Sequence, residues 1–332
     1  MADVPTLKLV EPEPGRQRRR PAPRRSARAR RVVAIGGGKG GIGKSLVAAN
    51  LGIQLARSGR RVALVDADLG GANLHTCLGV EQPRLSLSDF IERRVERIED
   101  VMVPTGVERL GLVSGAMDQI DAANPKYAQK MRLMRHIQAL DVDYAILDLG
   151  AGTHLNVLDF FLLSDHGILV LVPEPTAVEN VYRFVKAAFW RRVRNVVAVY
   201  GFEEALRAVL AERGYRSPVE VIVALREHHP EAGATLEREL QAFRPRLVIN
   251  QARTAQDAEL GHAVVAAWKK YFGLSMDYLG FIEHDDEMWR TVRARRPLLL
   301  ERPEAASARG FAVIAERLVE LDEGGGDREA PR

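Results

Sequence analysis

The sequence predicts an α/β fold: a doubly wound, mostly parallel sheet with a helical insertion. Three observations carry that expectation. Short β-branched and apolar runs at 31–35, 61–65 and 144–147 read as buried strands. Segments with helical spacing alternate with them, the pattern of a parallel sheet with helices on both faces. The chemistry-bearing residues Gly38, Asp66 and Asp148 fall just beyond the carboxyl ends of those runs, where open α/β sheets bind ligands.

Taken in order, strand 31–35 enters a glycine-rich loop and helical spacing resumes at 46–56. Ser58-Gly59 punctuates, and strand 61–65 runs into Asp66-Ala67-Asp68. A short strand at 110–114, a helix at 126–140 and a strand at 144–147 lead to Asp148. Strand 167–172 stops at Pro173, and helix 177–190 follows. The rhythm then breaks, because 191–245 offers three helical patterns (203–213, 219–227, 234–243) and no strand, and reads as a helical insertion packed on the sheet domain. Strands 247–250 and 278–282 and helices 255–271 and 305–321 complete a domain expected over 31–322.

The 332 residues are 46% hydrophobic, enough for a substantial core. No apolar run reaches the roughly twenty residues of a membrane span, and no signal-peptide pattern opens the chain, so a cytoplasmic location is expected. Cys77 is the single cysteine, which argues against a disulfide framework and against an iron–sulfur carrier. Charge is unevenly placed: residues 1–31 hold Lys8 and nine arginines against three acids, so the remaining body is net −3 although the whole chain is +4. Residues 1–30 therefore read as a disordered basic arm, suited to nucleic acid, an anionic membrane surface or an acidic partner, and 323–332 as a disordered tail.

Residues 35–45, IGGGKGGIGKS, fit the phosphate-loop pattern GxxxxGK[ST] through Gly38, Gly43, Lys44 and Ser45, in the strand-to-helix setting that the pattern requires. Backbone amides of 38–45, including Gly40, Gly41 and Ile42, would turn inward on phosphate oxygens at a helix N-terminus. Lys44 would reach the β- and γ-phosphates of ATP and Ser45 would present a hydroxyl to Mg²⁺. Asp66 and Asp68 share a face of an extended chain and suit one magnesium–nucleotide site; Asp148 matches a Walker B carboxylate. Lys39 is a second lysine that its own loop does not need, and it would be most useful if it crossed to a nucleotide on a facing subunit.

KGGIGKS resembles the deviant Walker A loop of the MinD/ParA family of P-loop ATPases, and Pro173–Tyr182, PEPTAVENVY, resembles a segment of its flagellar-number branch, the FlhG/FleN-like proteins. The resemblance implies a homodimer that closes on ATP with Lys39 acting in trans. It also implies a switch I at Asp66–Asn73, with Asp66 in the Mg²⁺ shell, Asp68 orienting the attacking water and Asn73 near the phosphates. Switch II would begin at Asp148, and Asn250 would face adenine. Two departures stand out. Gly150 replaces the family's usual switch II proline, and the acidic end of 305–321 does not suit a membrane-binding helix, so that segment reads as a docked body helix with membrane association weakly supported.

The resemblance implies a spatial or regulatory switch with a protein client, serving flagellar number or placement or division positioning. The alternative is a DNA-partition ATPase whose closed dimer binds DNA through Arg293, Arg295, Arg296 and the basic arm. The run Glu283-His284-Asp285-Asp286 contains metal-capable groups but reads as a strand-exit turn.

Overall fold

A computed structural model describes residues 31–115, 125–212, 214–215 and 217–324. The expected basic arm and residues 325–332 of the expected tail lie outside the described residues. The elements run β1 (Arg31–Gly36), α1 (Lys44–Arg57), β2 (Val62–Ala67), α2 (Leu74–Leu78), α3 (Leu87–Ile91), β3 (Met102–Pro104), β4 (Leu110–Val113), α4 (Tyr127–Ala139), β5 (Tyr144–Leu149), α5 (Leu155–Leu163) and β6 (His166–Leu171). They continue with α6 (Pro175–Tyr200), α7 (Glu203–Ala211), α8 (Pro218–His228), α9 (Pro230–Gln241), β7 (Arg246–Ala252), α10 (Ala255–Phe272), β8 (Asp277–Glu283), α11 (Asp286–Arg293), α12 (Leu298–Glu301) and α13 (Ala306–Gly324).

Eight strands form one sheet in the order β3-β4-β2-β5-β1-β6-β7-β8, parallel throughout except for the edge pair β3–β4. Strands covered on both faces must be apolar at nearly every position, and β1, β2, β5 and β6 are buried along almost their whole length. The register of β2 and β5 sets Asp66 directly beside Asp148, so the sheet itself pairs the two carboxylates.

The helix that begins at Pro175 runs unbroken through position 191 to Tyr200, because one buried face continues through Phe184, Ala188, Val193 and Val197. Gly201 stops it in the left-handed conformation (φ 74°). Helices α7, α8 and α9 follow, and among the described residues of 201–245 none is in a strand.

Helix α13 is a body helix. It packs on α1 and β8 and buries Phe311, Ile314 and Leu318. Its last turn is tied to the opposite pole of the sheet from the glycine loop: Asp322 accepts from the Tyr144 hydroxyl (2.7 Å) and from His166 Nε2 (2.5 Å), and pairs with Arg31 Nε (2.9 Å). Burial alone would raise the Asp322 carboxyl, but the His166 and Tyr144 hydrogen bonds and the Arg31 charge outweigh it and hold the carboxyl below the usual range. A carboxyl depressed in the folded state stabilises that state above its unfolded pKa, and the contribution is lost as pH falls through the folded value. Asp322→Asn should therefore cost about 1–3 kcal/mol at neutral pH, with the deficit shrinking in acid. Urea melts of both proteins across pH 3–7 check this, and a pH-independent difference would refute it.

Candidate functional site

The loop between β1 and α1 is built from the strand outward. Gly43 sits in the left-handed region (φ 86°) directly before α1. Glycine is needed there for space as well as dihedral, since a Cβ would lie 2.5 Å from Asn250 Nδ2. Asn250 donates through that nitrogen to the Ile42 carbonyl at 2.9 Å, so the end of β7 clamps the loop. Strand β7 is bulged at this point: its pairing with β8 slips between Ile249 and Ala252, and Gln251 takes φ 61°. On the other side the loop lies against the first turns of α6, where a Cβ on Gly38 would fall 2.1 Å from the Asn180 carbonyl oxygen.

Lys44, only 8% exposed, opens α1. Burial lowers its ammonium below the usual lysine range, while Asp148 and Asp68 act in the opposite sense. Its Nζ donates to the Lys39 carbonyl at 3.4 Å. Ser45, in the same first turn, hydrogen-bonds Asp148. Gly40 and Gly41 form the exposed crest of the loop.

Three carboxylates cluster here, of which Asp148 and Asp68 act on this lysine. Asp66 is fully buried; it accepts from the amides of Leu74 (2.9 Å) and Asp68 (3.2 Å), and burial together with Asp148 pushes it up to about 7. Asp148 is pushed up to about 6, chiefly by burial, and its Oδ1 is buried without a hydrogen-bond partner. Asp68 follows β2 and leans on the next segment, where a Cβ at Gly150 would come within 3.0 Å of its Oδ1. The glycine that departs from the family pattern thus leaves room for the Asp68 carboxylate.

The remaining candidates fall as follows. Lys39 is exposed and pairs with Glu174 Oε2 of its own chain at 3.6 Å. Asn73 is exposed at the head of α2, its carbonyl accepting from Thr76 and Cys77. Asp285 caps α11 by accepting from Glu287 N (2.9 Å) and also accepts from Ser307 (2.8 Å), which accounts for one member of the acidic run. Arg296 pairs with Glu301 at 3.4 Å. The sequence reading did not single out Glu174 or Asn180 as individual residues, although both lie in the PEPTAVENVY segment. The β7 bulge at Gln251 left no signal in the sequence at all.

The profile of the ParA family, described as the NUBPL iron-transfer P-loop NTPase, matches residues 28–204. The chain belongs to this family of P-loop NTPases. Iron transfer is a property named in that description; in this chain burial pushes the lone Cys77 thiol up to about 12, with Asp148 and Asp66 adding to the shift, so it is held protonated. The MinD/ParA family member is 26% identical to the antiactivator FleN of Pseudomonas aeruginosa over 86% of this chain and 85% of that one. It is 25% identical to the septum site-determining protein MinD of Bacillus subtilis over 87% and 88% of the two chains. With the flagellum site-determining protein YlxH of Helicobacter pylori the identity is 30%, over 47% of this chain and 53% of that one. The fold matches MinD of Pyrococcus horikoshii complexed with Mg-ADP at a TM-score of 0.59 and 22% identity, covering 90% of this chain and 99% of that one. It also matches a chain of the MinC:MinD cell division protein complex of Aquifex aeolicus at a TM-score of 0.58 and 19% identity, covering 91% and 98%. These relatives are named as an antiactivator and as septum and flagellum site-determining proteins.

Replacing Asn250 by Ala removes the clamp on Ile42 and leaves that carbonyl unsatisfied. The expected result is nucleotide affinity about tenfold weaker, the equivalent of about 1.4 kcal/mol, with the fold retained. Calorimetric titration with a non-hydrolysable ATP analogue tests this; unchanged affinity would remove Asn250 from the site.

Proposed function

We propose that this protein is an ATP-switched dimer of the MinD/FlhG type, closing on Mg-ATP, recruiting a protein client in the closed state and resetting on hydrolysis. The observation that carries the reading is the buried Lys44 beside Asp148 and Asp68, with Asp66 set next to Asp148 by strand register, at the end of a glycine loop. A triphosphate supplies negative charge to Lys44 and to the loop amides, including those of Gly38, Gly40, Gly41, Ile42 and Gly43. The donor set suits a hard divalent cation: the Ser45 hydroxyl, Asp66 and Asp148 would hold Mg²⁺, and the unpartnered Asp148 Oδ1 is a buried acceptor awaiting a charge. Bound there, Mg²⁺ supplies neutralisation of phosphate charge.

Asp68 is the carboxylate less tightly held than Asp66, and its assigned work is to orient the attacking water. An oriented water suffices, because phosphoryl transfer passes through a loose transition state that asks for positioning more than for a strong base. Lys39 would act on the nucleotide of the facing subunit; its exposed position at the loop crest supports that role, and its pair with Glu174 is exposed enough to be exchanged at little cost. Asn73 and Asn250 would border the nucleotide, Asn250 mainly by bracing the loop. The protein would act in the cytoplasm, and among the described residues no helix is long and apolar enough to cross a membrane.

Lys44→Ala should abolish ATP binding. Asp68→Ala should bind ATP, fail to hydrolyse it and accumulate as a dimer, while Lys39→Ala should lose both dimer and turnover. Light scattering with and without ATP decides the matter: an Asp68→Ala protein that stays monomeric with saturating ATP ends the switch reading.

A further inference from the structure

Between α6, α8 and α10 lies a cavity of about 510 Å³ that is lined by no residue of the glycine loop or of the two aspartate segments. Its walls are aliphatic and aromatic, with Val178, Val181 and Val185 of α6 facing Val264, Trp268 and Phe272 of α10. The cavity is a groove half open to solvent, and its volume is that of a small-molecule site. Water in this groove is poorly held, because the walls offer few polar partners.

The rim carries the second part of the argument. Lys270 lines the cavity, and the Lys186 ammonium lies 6.0 Å from the ring centre of Tyr182, another lining residue. Glu220, in the first turn of α8, is the one acid on the lining. An apolar groove with Lys270 on its lining and Lys186 beside the lining residue Tyr182, against the single acid Glu220, suits a molecule with a hydrocarbon body and an anionic end. The chain's own N-terminal arm is the wrong occupant, since residues 1–31 carry ten cations against three acids and would be repelled by the same lysines.

We propose that this cavity binds the hydrocarbon chain of a fatty acid, with the carboxylate held at the rim by Lys270 and Lys186. The site is separate from the nucleotide loop, so its occupancy does not rest on the ATPase reading.

The test is calorimetric titration of the full chain with dodecanoate and hexadecanoate below their micelle-forming concentrations. One saturable site per chain is expected, and it should persist in Lys44→Ala even if the nucleotide reading fails. Val264→Trp, at a half-buried helical position, would displace two or more methylenes and should weaken binding about tenfold or more. Val178→Trp fills the same space from the opposite wall and serves if the first variant misfolds by circular dichroism. Lys270→Glu should weaken the fatty acid several-fold and leave dodecanol binding unchanged. The proposal is overturned if no saturable binding is seen, or if a folded wall variant binds as tightly as the native chain. It is equally overturned if Lys270→Glu leaves fatty acid binding intact, or if the protein adsorbs to anionic vesicles while ignoring the monomeric acid.

Discussion

Two carboxylates buried side by side on adjacent strands are the constraint around which this site is organised. Asp66 and Asp148 are paired by the register of β2 and β5, and burial raises both carboxyls above the usual range, with Asp148 adding to the shift of Asp66. The protein supplies part of the compensation: Leu74 and Asp68 donate amides to Asp66, Ser45 bonds Asp148, and Lys44 stands over the group. The remainder is left open at Asp148 Oδ1. A site that leaves buried negative charge undercompensated favours a cation, and one that ends in glycine-rich backbone amides favours an anion. A metal–triphosphate complex answers both demands together.

The loop owes its shape to elements far away in sequence. Asn250 reaches it across 208 positions, and Asn180 abuts Gly38 from the start of α6. The same turns of α6 hold Glu174 against Lys39 on one side and form the wall of the apolar cavity on the other. Helix α6 therefore lies between the glycine loop and the cavity bordered by α8.

At the other pole, α13 shows why an acidic helix end belongs in the body of the protein. Asp322 gathers Arg31, His166 and Tyr144 from the feet of β1, β6 and β5, so its charge is spent inside the fold. The helical spacing at 305–321 made the helix legible; its docking was legible only as an argument against a membrane face. The actual tether joins residues more than 150 positions apart, which no local pattern encodes.

Local chemistry accounts for what the sequence determined alone. Apolar runs of strand length, helical spacing between them and a glycine loop followed by lysine and serine specify an α/β sheet with a phosphate site, because dihedral freedom and side-chain period are properties of neighbours in the chain. Short elements such as β3, α2, α3, α11 and α12 escaped that reading, since three to eight residues carry too little period to register. Tertiary structure alone decided the pairing of Asp66 with Asp148, the grip of Asn250 on Ile42, the room that Gly150 leaves for Asp68 and the partner of Lys39. Each of these depends on strand order and register, and those are set by how the whole core packs rather than by any one segment.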